Sequence, residues 1–265
     1  MNKCPCKSIV LIGAGNVATQ LGKSLQKQGF SIVQVYSRTE TSASALAQRL
    51  NTQYTTNTSL IISDADVYVF SIKDDEIANV LATIPIGKGL YVHTAGSVDM
   101  DVFSPYTDRY GVLYPLQTFS KNRDVSFERI PILLEANQKE DADVLLYIAG
   151  QLSNTVQILS SEKRRYIHLA AVFACNFTNH MYSLAADILE KQDIDYSLLL
   201  PLVEETAAKI KDLPPIKAQT GPAIRYDKEV MQKHLDLLGK DADSKEIYQG
   251  ISHSIRNFHK NRTQQ

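Results

Sequence analysis

Residues 8–18 read Ser-Ile-Val-Leu-Ile-Gly-Ala-Gly-Asn-Val-Ala and decide the fold. The apolar run of this stretch stops at Gly13, as expected of a short β-strand that is buried on both faces. A helical pattern follows at once, because apolar residues recur every four positions, at Val17, Leu21 and Leu25. The stretch therefore predicts a strand, a tight turn and a helix in immediate succession.

The turn carries the pattern G-x-G-x-x-A, which is typical of dinucleotide-binding strand–turn–helix units. In such a unit Gly13 permits the tight turn, Gly15 lets a pyrophosphate approach the backbone, and Ala18 allows close packing of the helix on the strand. Asn16 and Val17 open the helix, whose free N–H groups favour an anion. We expect these residues to bind the pyrophosphate of a dinucleotide.

The end of the second predicted strand, residues 31–36, indicates which dinucleotide binds. NAD-binding proteins commonly place an acidic residue there, whereas this chain has Ser37, Arg38 and Thr39, and no carboxylate before Glu40. A guanidinium can pair with a 2′-phosphate, and the two hydroxyls can donate hydrogen bonds to it. The segment therefore favours NADP over NAD. FAD is disfavoured, since no further segment suits an isoalloxazine.

Strand and helix patterns alternate up to residue 160, and only helical patterns follow. This order predicts an α/β fold in which a doubly wound, mostly parallel sheet of the Rossmann type (1–159) precedes an all-α domain (160–265). The remaining strands are expected at 67–70, 90–93, 112–114, 132–134 and 155–159, with helices at 41–50 and around 144–152 between them. The later helices are expected at 161–191, 195–212, 227–239 and 243–260.

Ligands of open α/β sheets bind outside the carboxyl ends of the strands, so the loops there are candidate sites. Ser71, Ile72 and Lys73 follow the strand at 67–70 and are expected to pass near the cofactor. His93 and Ser97 flank the next strand end and offer an imidazole and a hydroxyl for catalysis.

The predicted helix at 161–191 carries neutral polar residues along one face. With His168 at 0° and 100° per residue, Asn176 lies at 80°, on the same polar side. Neutral polar groups suit a buried substrate-binding wall, because they form hydrogen bonds without an unpaired charge. His168 and Asn176 are therefore candidate catalytic residues, although packing against a partner helix would explain the same stripe.

Composition excludes several function classes. The net charge of −1 provides no basic excess for nucleic acid. Residues 166–186 lack charged side chains, but their histidines and asparagines argue against a membrane span. The odd set of Cys4, Cys6 and Cys175 favours a reducing, cytoplasmic location, and no metal-ligand spacing is evident.

Several segments together resemble a family of Rossmann-like NADP oxidoreductases with a C-terminal helical domain of unknown function. These are residues 12–18, His93-Thr94-Ala95-Gly96-Ser97, and the stretches 114–119, 168–177 and 221–227. The family is similar to pyrroline-5-carboxylate reductase, the deazaflavin-dependent NADP reductases and the 6-phosphogluconate dehydrogenase superfamily. The resemblance implies a homodimer formed by the helical domains, and a small-molecule site in the cleft between domains, with the nicotinamide near residues 93–97.

The chain departs from this superfamily at one catalytic position. Members that oxidise hydroxyacids carry K-x-x-x-N on the long helix, but Val172 stands four residues before Asn176, and Cys175 four before Asn179. Hydroxyacid oxidation is therefore disfavoured, and His168 is the nearest substitute as a proton shuttle. Two alternatives stay open: an NADP-dependent oxidoreductase acting on a C=O or C=N bond, with imine reduction as one form, and an NADP-binding sensor without turnover.

Overall fold

The computed structural model of the protein describes residues 6–262, so the prediction for Cys4 lies outside the described residues. Eight strands form one sheet in the order β3-β2-β1-β4-β5-β6-β7-β8. All neighbouring strands pair in parallel except β6 and β7, which are antiparallel. The predicted doubly wound, mostly parallel sheet is confirmed. The strands are β1 Ser8–Ile12, β2 Ser31–Tyr36, β3 Gln53–Thr55, β4 Val67–Phe70, β5 Leu90–His93, β6 Tyr110–Pro115, β7 Ile132–Ala136 and β8 Val156–Ile158.

Contacts divide the chain into a unit that ends at Asn176 and a unit that begins at Phe177. The predicted division at 159/160 falls between β8 and the next helix, Ser161–Ala171. The division by contacts instead includes that helix in the first unit. The helices of the first unit are α1 Asn16–Lys27, α2 Glu40–Arg49, α3 Ile77–Leu81, α4 Lys139–Leu152 and α5 Ser161–Ala171. Those of the second unit are α6 Thr178–Glu190, α7 Leu200–Asp212, α8 Pro215–Ala218, α9 Pro222–Arg225, α10 Lys228–Leu237 and α11 Ala242–Arg262.

Alternation along β1 distributes the core over both faces of the sheet. Ile9 and Leu11 belong to one buried apolar cluster, and Val10 and Ile12 belong to another on the opposite face. Successive side chains of a strand point to opposite faces, so a strand that is covered on both sides must be apolar throughout. The continuous apolar run of β1 follows from this double coverage.

The predicted helix at 161–191 is interrupted. Residues Val172–Phe177 form a π-helix between α5 and α6. Its N–H groups bond five residues back instead of four, so the 100° spacing does not carry across it. The predicted angle of 80° between His168 and Asn176 therefore does not apply, because it assumed an uninterrupted α-helix. Among the described residues, no helix is long and apolar enough to span a membrane.

A buried ion pair fixes α5 to the sheet. The Arg164 guanidinium, with its side chain 1% exposed, lies 2.6 Å from a carboxylate oxygen of Glu135 on β7. The backbone N–H and hydroxyl of Ser161 donate to the same carboxylate at 2.8 and 2.6 Å. Arg164 also donates to the carbonyl of Val98, in the loop after β5. One cation therefore joins the helix, the antiparallel strand and the loop.

We expect Glu135→Gln to lower the free energy of unfolding by about 3–5 kcal/mol, because it leaves the Arg164 charge buried without its counter-charge. Denaturant titration of the purified variant measures this loss. The matched control is Asp124→Asn, which removes the carboxylate from the exposed pair that Asp124 forms with Lys23 at 2.7 Å. Surface pairs contribute little, so a loss of similar size in both variants would contradict the assignment.

His93 ends β5 inside the core. Its ring is fully buried and stacks on Phe103 with 5.8 Å between the ring centroids. Its Nδ1 accepts the N–H of Ala95 at 3.2 Å. Burial, reinforced by the positive charge of Arg164, lowers the pKa of His93 to about 3. The imidazole is therefore neutral near pH 7 and supports the start of the loop after β5.

This depressed pKa makes stability depend on pH in one direction. In the unfolded chain His93 takes up a proton below about pH 6.5, whereas in the folded chain it does so only near pH 3. The free energy of unfolding should therefore fall as the pH drops through this window, by up to about 1.4 kcal/mol per pH unit from this group. His93→Asn keeps an acceptor for Ala95 but cannot titrate. Denaturant titrations at several pH values should show a flatter dependence in the variant, and equal slopes would contradict the assignment.

Candidate functional site

A cavity of about 400 Å³ lies where three parallel strands end. β1 has β2 as its neighbour on one side and β4 on the other, so the order of strands reverses at β1. Open α/β sheets bind ligands at such a switch point. Most of the predicted cofactor residues line this cavity. They are Gly13, Gly15, Ser37, Arg38, Thr39, Ser71, Ile72 and Lys73, joined by Ala14, Tyr36, Ser42, Glu76, Val80 and Lys121.

The glycine turn has the shape that a pyrophosphate requires. Gly13 has φ +116°, and a Cβ at this position would clash with the Ser71 carbonyl and the Ile72 side chain. Gly15 takes the N-cap position of α1 and has no side chain with which to cap it, so N–H groups of the first turn, which Asn16 and Val17 begin, face a possible anion. The backbone here fits a dinucleotide pyrophosphate.

Positive charge lies at the end of β2, where the 2′ position of an adenosine ribose would bind. Arg38 is exposed, and its Nη1 lies 3.3 Å from a carboxylate oxygen of Glu76. The nearby Glu40 instead accepts a hydrogen bond from the Tyr54 hydroxyl at 3.2 Å. Arg38 with Ser37 and Thr39 therefore provides the donors that a 2′-phosphate needs.

The ends of β4 and β5 are tied together beside this cavity. The Thr94 hydroxyl lies 3.1 Å from the Ser71 hydroxyl and 3.3 Å from the Phe70 carbonyl. Ser97 is exposed, and its hydroxyl donates to the Asp74 carboxylate. The loop after β5 is thereby held against the segment that follows β4.

The same loop contacts His168 on α5. A Cβ at Gly96 would clash with the His168 imidazole, so the absence of a side chain lets the ring lie against the loop backbone. The Tyr114 hydroxyl, at the end of β6, lies 3.0 Å from His168 Nδ1. Two proton-bearing side chains from different elements therefore form a hydrogen-bonded pair next to the carboxyl ends of β5 and β6.

The surroundings of Tyr114 set its protonation. Burial raises the pKa of Tyr114, the positive charge of Arg164 opposes this, and the Asp74 carboxylate raises it further. The phenol therefore keeps its proton near neutral pH, within hydrogen-bond distance of the His168 Nδ1. The pair can therefore pass a proton to a neighbouring oxygen or nitrogen.

Of the four predicted catalytic residues, His168 lies against Gly96, and Ser97 is the next residue of that loop, with its hydroxyl on Asp74. His93 lies buried at the start of the same loop. Asn176 is exposed in the π-helix, eight residues beyond His168. Tyr114 received no role from the sequence, although it ends a predicted strand at the edge where the candidate loops meet. Among residues 6–262, no group of three His, Cys, Asp or Glu side chains could hold a metal ion.

Comparison with known proteins identifies two family domains along the chain. Residues 8–92 match the family model described as NADP oxidoreductase coenzyme F420-dependent. Residues 130–255 match the family model described as Domain of unknown function (DUF2520). No curated protein matches the chain.

Solved structures extend this result. A Bacteroides fragilis protein, provisionally named an NADP oxidoreductase, is 50% identical, with a TM-score of 0.93 over 96% of this chain and all of its own. A Thermotoga maritima protein is 22% identical, with a TM-score of 0.79 over 95% of this chain and 99% of its own. A Myxococcus stipitatus imine reductase, solved with NADP+, is 15% identical, with a TM-score of 0.64 over 97% of this chain and 94% of its own.

The two more distant likenesses show the fold alone, whereas the identity to the Bacteroides protein over nearly the whole of both chains shows kinship. The chain therefore belongs to the family of that NADP oxidoreductase, in which an F420-type NADP oxidoreductase domain precedes the domain of unknown function.

Proposed function

We propose that the protein is an NADP-dependent reductase that transfers a hydride between the nicotinamide and a C=O or C=N bond of a small molecule. The observation that carries the proposal is the hydrogen bond between Tyr114 and His168, with the imidazole against Gly96 in the loop that follows β5. A protein that only senses NADP has no need of a proton-transferring pair at this position.

The cofactor is held by groups that line the cavity. The pyrophosphate is bound by the turn from Gly13 to Val17. The 2′-phosphate is bound by Ser37, Arg38 and Thr39. The rest of the cofactor is bordered by the segment Ser71–Lys73. When bound, NADPH supplies the hydride.

The proton comes from the chain itself. As the substrate carbon accepts the hydride, its oxygen or nitrogen takes a proton from the Tyr114–His168 pair by general acid catalysis, and the pair then regains a proton from solvent. Ser97 is poised to orient the substrate by a hydrogen bond, and Asn176 is a second candidate for that role. This scheme needs no lysine, in agreement with Val172 and Cys175 at the positions where the superfamily motif would place one.

Two buried groups position the pair and do not react. Arg164, one helical turn before His168, fixes α5 against Glu135. His93 accepts the Ala95 N–H and so supports the loop that carries Gly96. We therefore propose that His93 is a positioning residue, because burial keeps it neutral and inside the core.

The proposed assembly is a homodimer formed through residues 160–265. Large apolar side chains are exposed beyond residue 160, among them Tyr166, Leu169, Leu198, Leu202 and Leu237, and Leu237 is 85% exposed. Apolar surface on this scale marks an interaction site in soluble proteins. A second copy of the chain is the proposed occupant.

We expect His168→Gln to bind NADPH normally but to lose hydride transfer by about 10²-fold or more, since it keeps a hydrogen-bonding shape and loses the titratable group. Tyr114→Phe should act in the same direction. NADPH consumption is followed at 340 nm with a panel of small cyclic imines and ketones, and cofactor binding by calorimetry.

Tyr110→Phe is the matched control, because Tyr110 lies at the other end of β6 and bonds Asp101. If the two site variants lost thermal stability but kept the turnover of each folded molecule, the pair would be structural. If the wild-type protein bound NADPH and consumed none across the panel, the sensor alternative would replace the enzyme.

The oligomeric state is the second prediction from this proposal. Light scattering at micromolar concentration should give about twice the 29.6 kDa chain mass. Leu237→Glu should shift the protein toward the monomer, because a charge would enter an apolar interface. Leu60→Glu, at a 65% exposed apolar position of the first unit, is the control and should leave the mass unchanged. A monomeric wild-type mass would contradict the proposed dimer.

A further inference from the structure

We infer that Glu76 sets how strongly the site prefers NADP over NAD, by competing with the 2′-phosphate for Arg38. The inference rests on the proposed use of NADP. It adds a residue that the sequence pattern at the end of β2 does not indicate, because Glu76 follows β4.

The two side chains meet at the cavity from different strands. Arg38 follows β2, and Glu76 ends the short 3₁₀ turn Asp74–Glu76 that follows β4. Their side chains are 63% and 29% exposed, with 3.3 Å between guanidinium nitrogen and carboxylate oxygen, and both line the cavity. The site therefore contains an acidic group near the end of β2 after all, supplied by a neighbouring loop.

Tyr36 shows that both charges converge on this point. Burial raises the pKa of the Tyr36 phenol, the Arg38 guanidinium lowers it, and the Glu76 carboxylate raises it. A ligand group that reaches the end of β2 therefore meets both the cation and the anion.

The two cofactors respond to this pair in opposite ways. A 2′-phosphate is an anion, so it is attracted by Arg38, must draw that guanidinium from Glu76, and is repelled by the carboxylate. A ribose 2′-hydroxyl is a donor, and a carboxylate is the group that accepts from it in NAD-binding sheets. Arg38 consequently favours NADP, while Glu76 weakens that preference.

The test is Glu76→Gln, which keeps an oxygen acceptor for Arg38 and removes the charge. Dissociation constants for NADPH and NADH are measured by titrating the fluorescence of the reduced nicotinamide, which no tryptophan emission disturbs in a chain without tryptophan. We expect NADPH to bind about 2–5-fold more tightly to the variant than to the wild type, which is the contribution of an exposed ion pair. NADH should bind equally or less tightly.

Asp75→Asn is the matched control. It removes one negative charge from the same turn, and Asp75 does not line the cavity. It should leave the ratio of the two dissociation constants unchanged. An equal gain for Asp75→Asn would mean that net charge is responsible and would overturn the inference.

An Arg38→Ala background tests the competition directly. This change should remove most of the preference for NADPH. Glu76→Gln should then give only the smaller gain in NADPH affinity that comes from removing the direct repulsion between the carboxylate and the 2′-phosphate. A full gain without Arg38, or a ratio that falls or stays constant in the single variant, would overturn the inference. A wild-type protein that bound neither cofactor would refute the proposed function as well, whereas NADPH binding with an unmoved ratio would refute the role of Glu76 alone.

Discussion

The buried charge of Arg164 constrains everything around the candidate site. A guanidinium that is removed from water is costly unless its N–H groups find partners. Here the partners of the two terminal nitrogens come from three elements, whereas Nε is buried without one among the described residues. Glu135 belongs to β7, Ser161 to the first turn of α5, and the Val98 carbonyl to the loop after β5. Satisfying one cation therefore fixes the helix and the loop relative to the sheet. His168, one turn further along α5, inherits its position from that arrangement.

Burial separates two histidines that the sequence alone treats as equals. His93 and His168 both belong to the carboxyl edge of the sheet, and either imidazole could shuttle a proton. Complete burial next to Arg164 disfavours a second positive charge on His93, so that ring serves as a neutral acceptor for a backbone N–H. His168 is half-buried, and its Nδ1 lies 3.0 Å from the Tyr114 hydroxyl, which is the contact on which its proposed role rests. Surroundings, and not residue type, separate the two roles.

The parts of this structure that sequence could predict are those with local rules. The strand, turn and helix at 8–27 follow from periodicity and from glycine geometry, and the alternation up to residue 160 follows from double coverage of the sheet. The Tyr114–His168 pair and the Arg38–Glu76 pair join residues far apart in sequence, and no spacing encodes such contacts. The short edge strand β3 lacks an apolar pattern. The π-helix lies inside a mostly apolar stretch of six residues. Over so short a stretch, the apolar periodicity of a π-helix cannot be distinguished from that of an α-helix.

The proposed proton donor includes an uncharged phenol, which suits this corner of the fold. Arg164 already places a permanent positive charge close enough to Tyr114 to oppose the rise of its pKa. A lysine at position 172, where the superfamily motif would place one, would add a second cation near this region. Two like charges at short range inside a protein repel each other strongly. A phenol carries no charge before it gives up its proton, and the Asp74 carboxylate further favours the protonated phenol. The chemistry of the site is thus matched to the cation that holds its framework together.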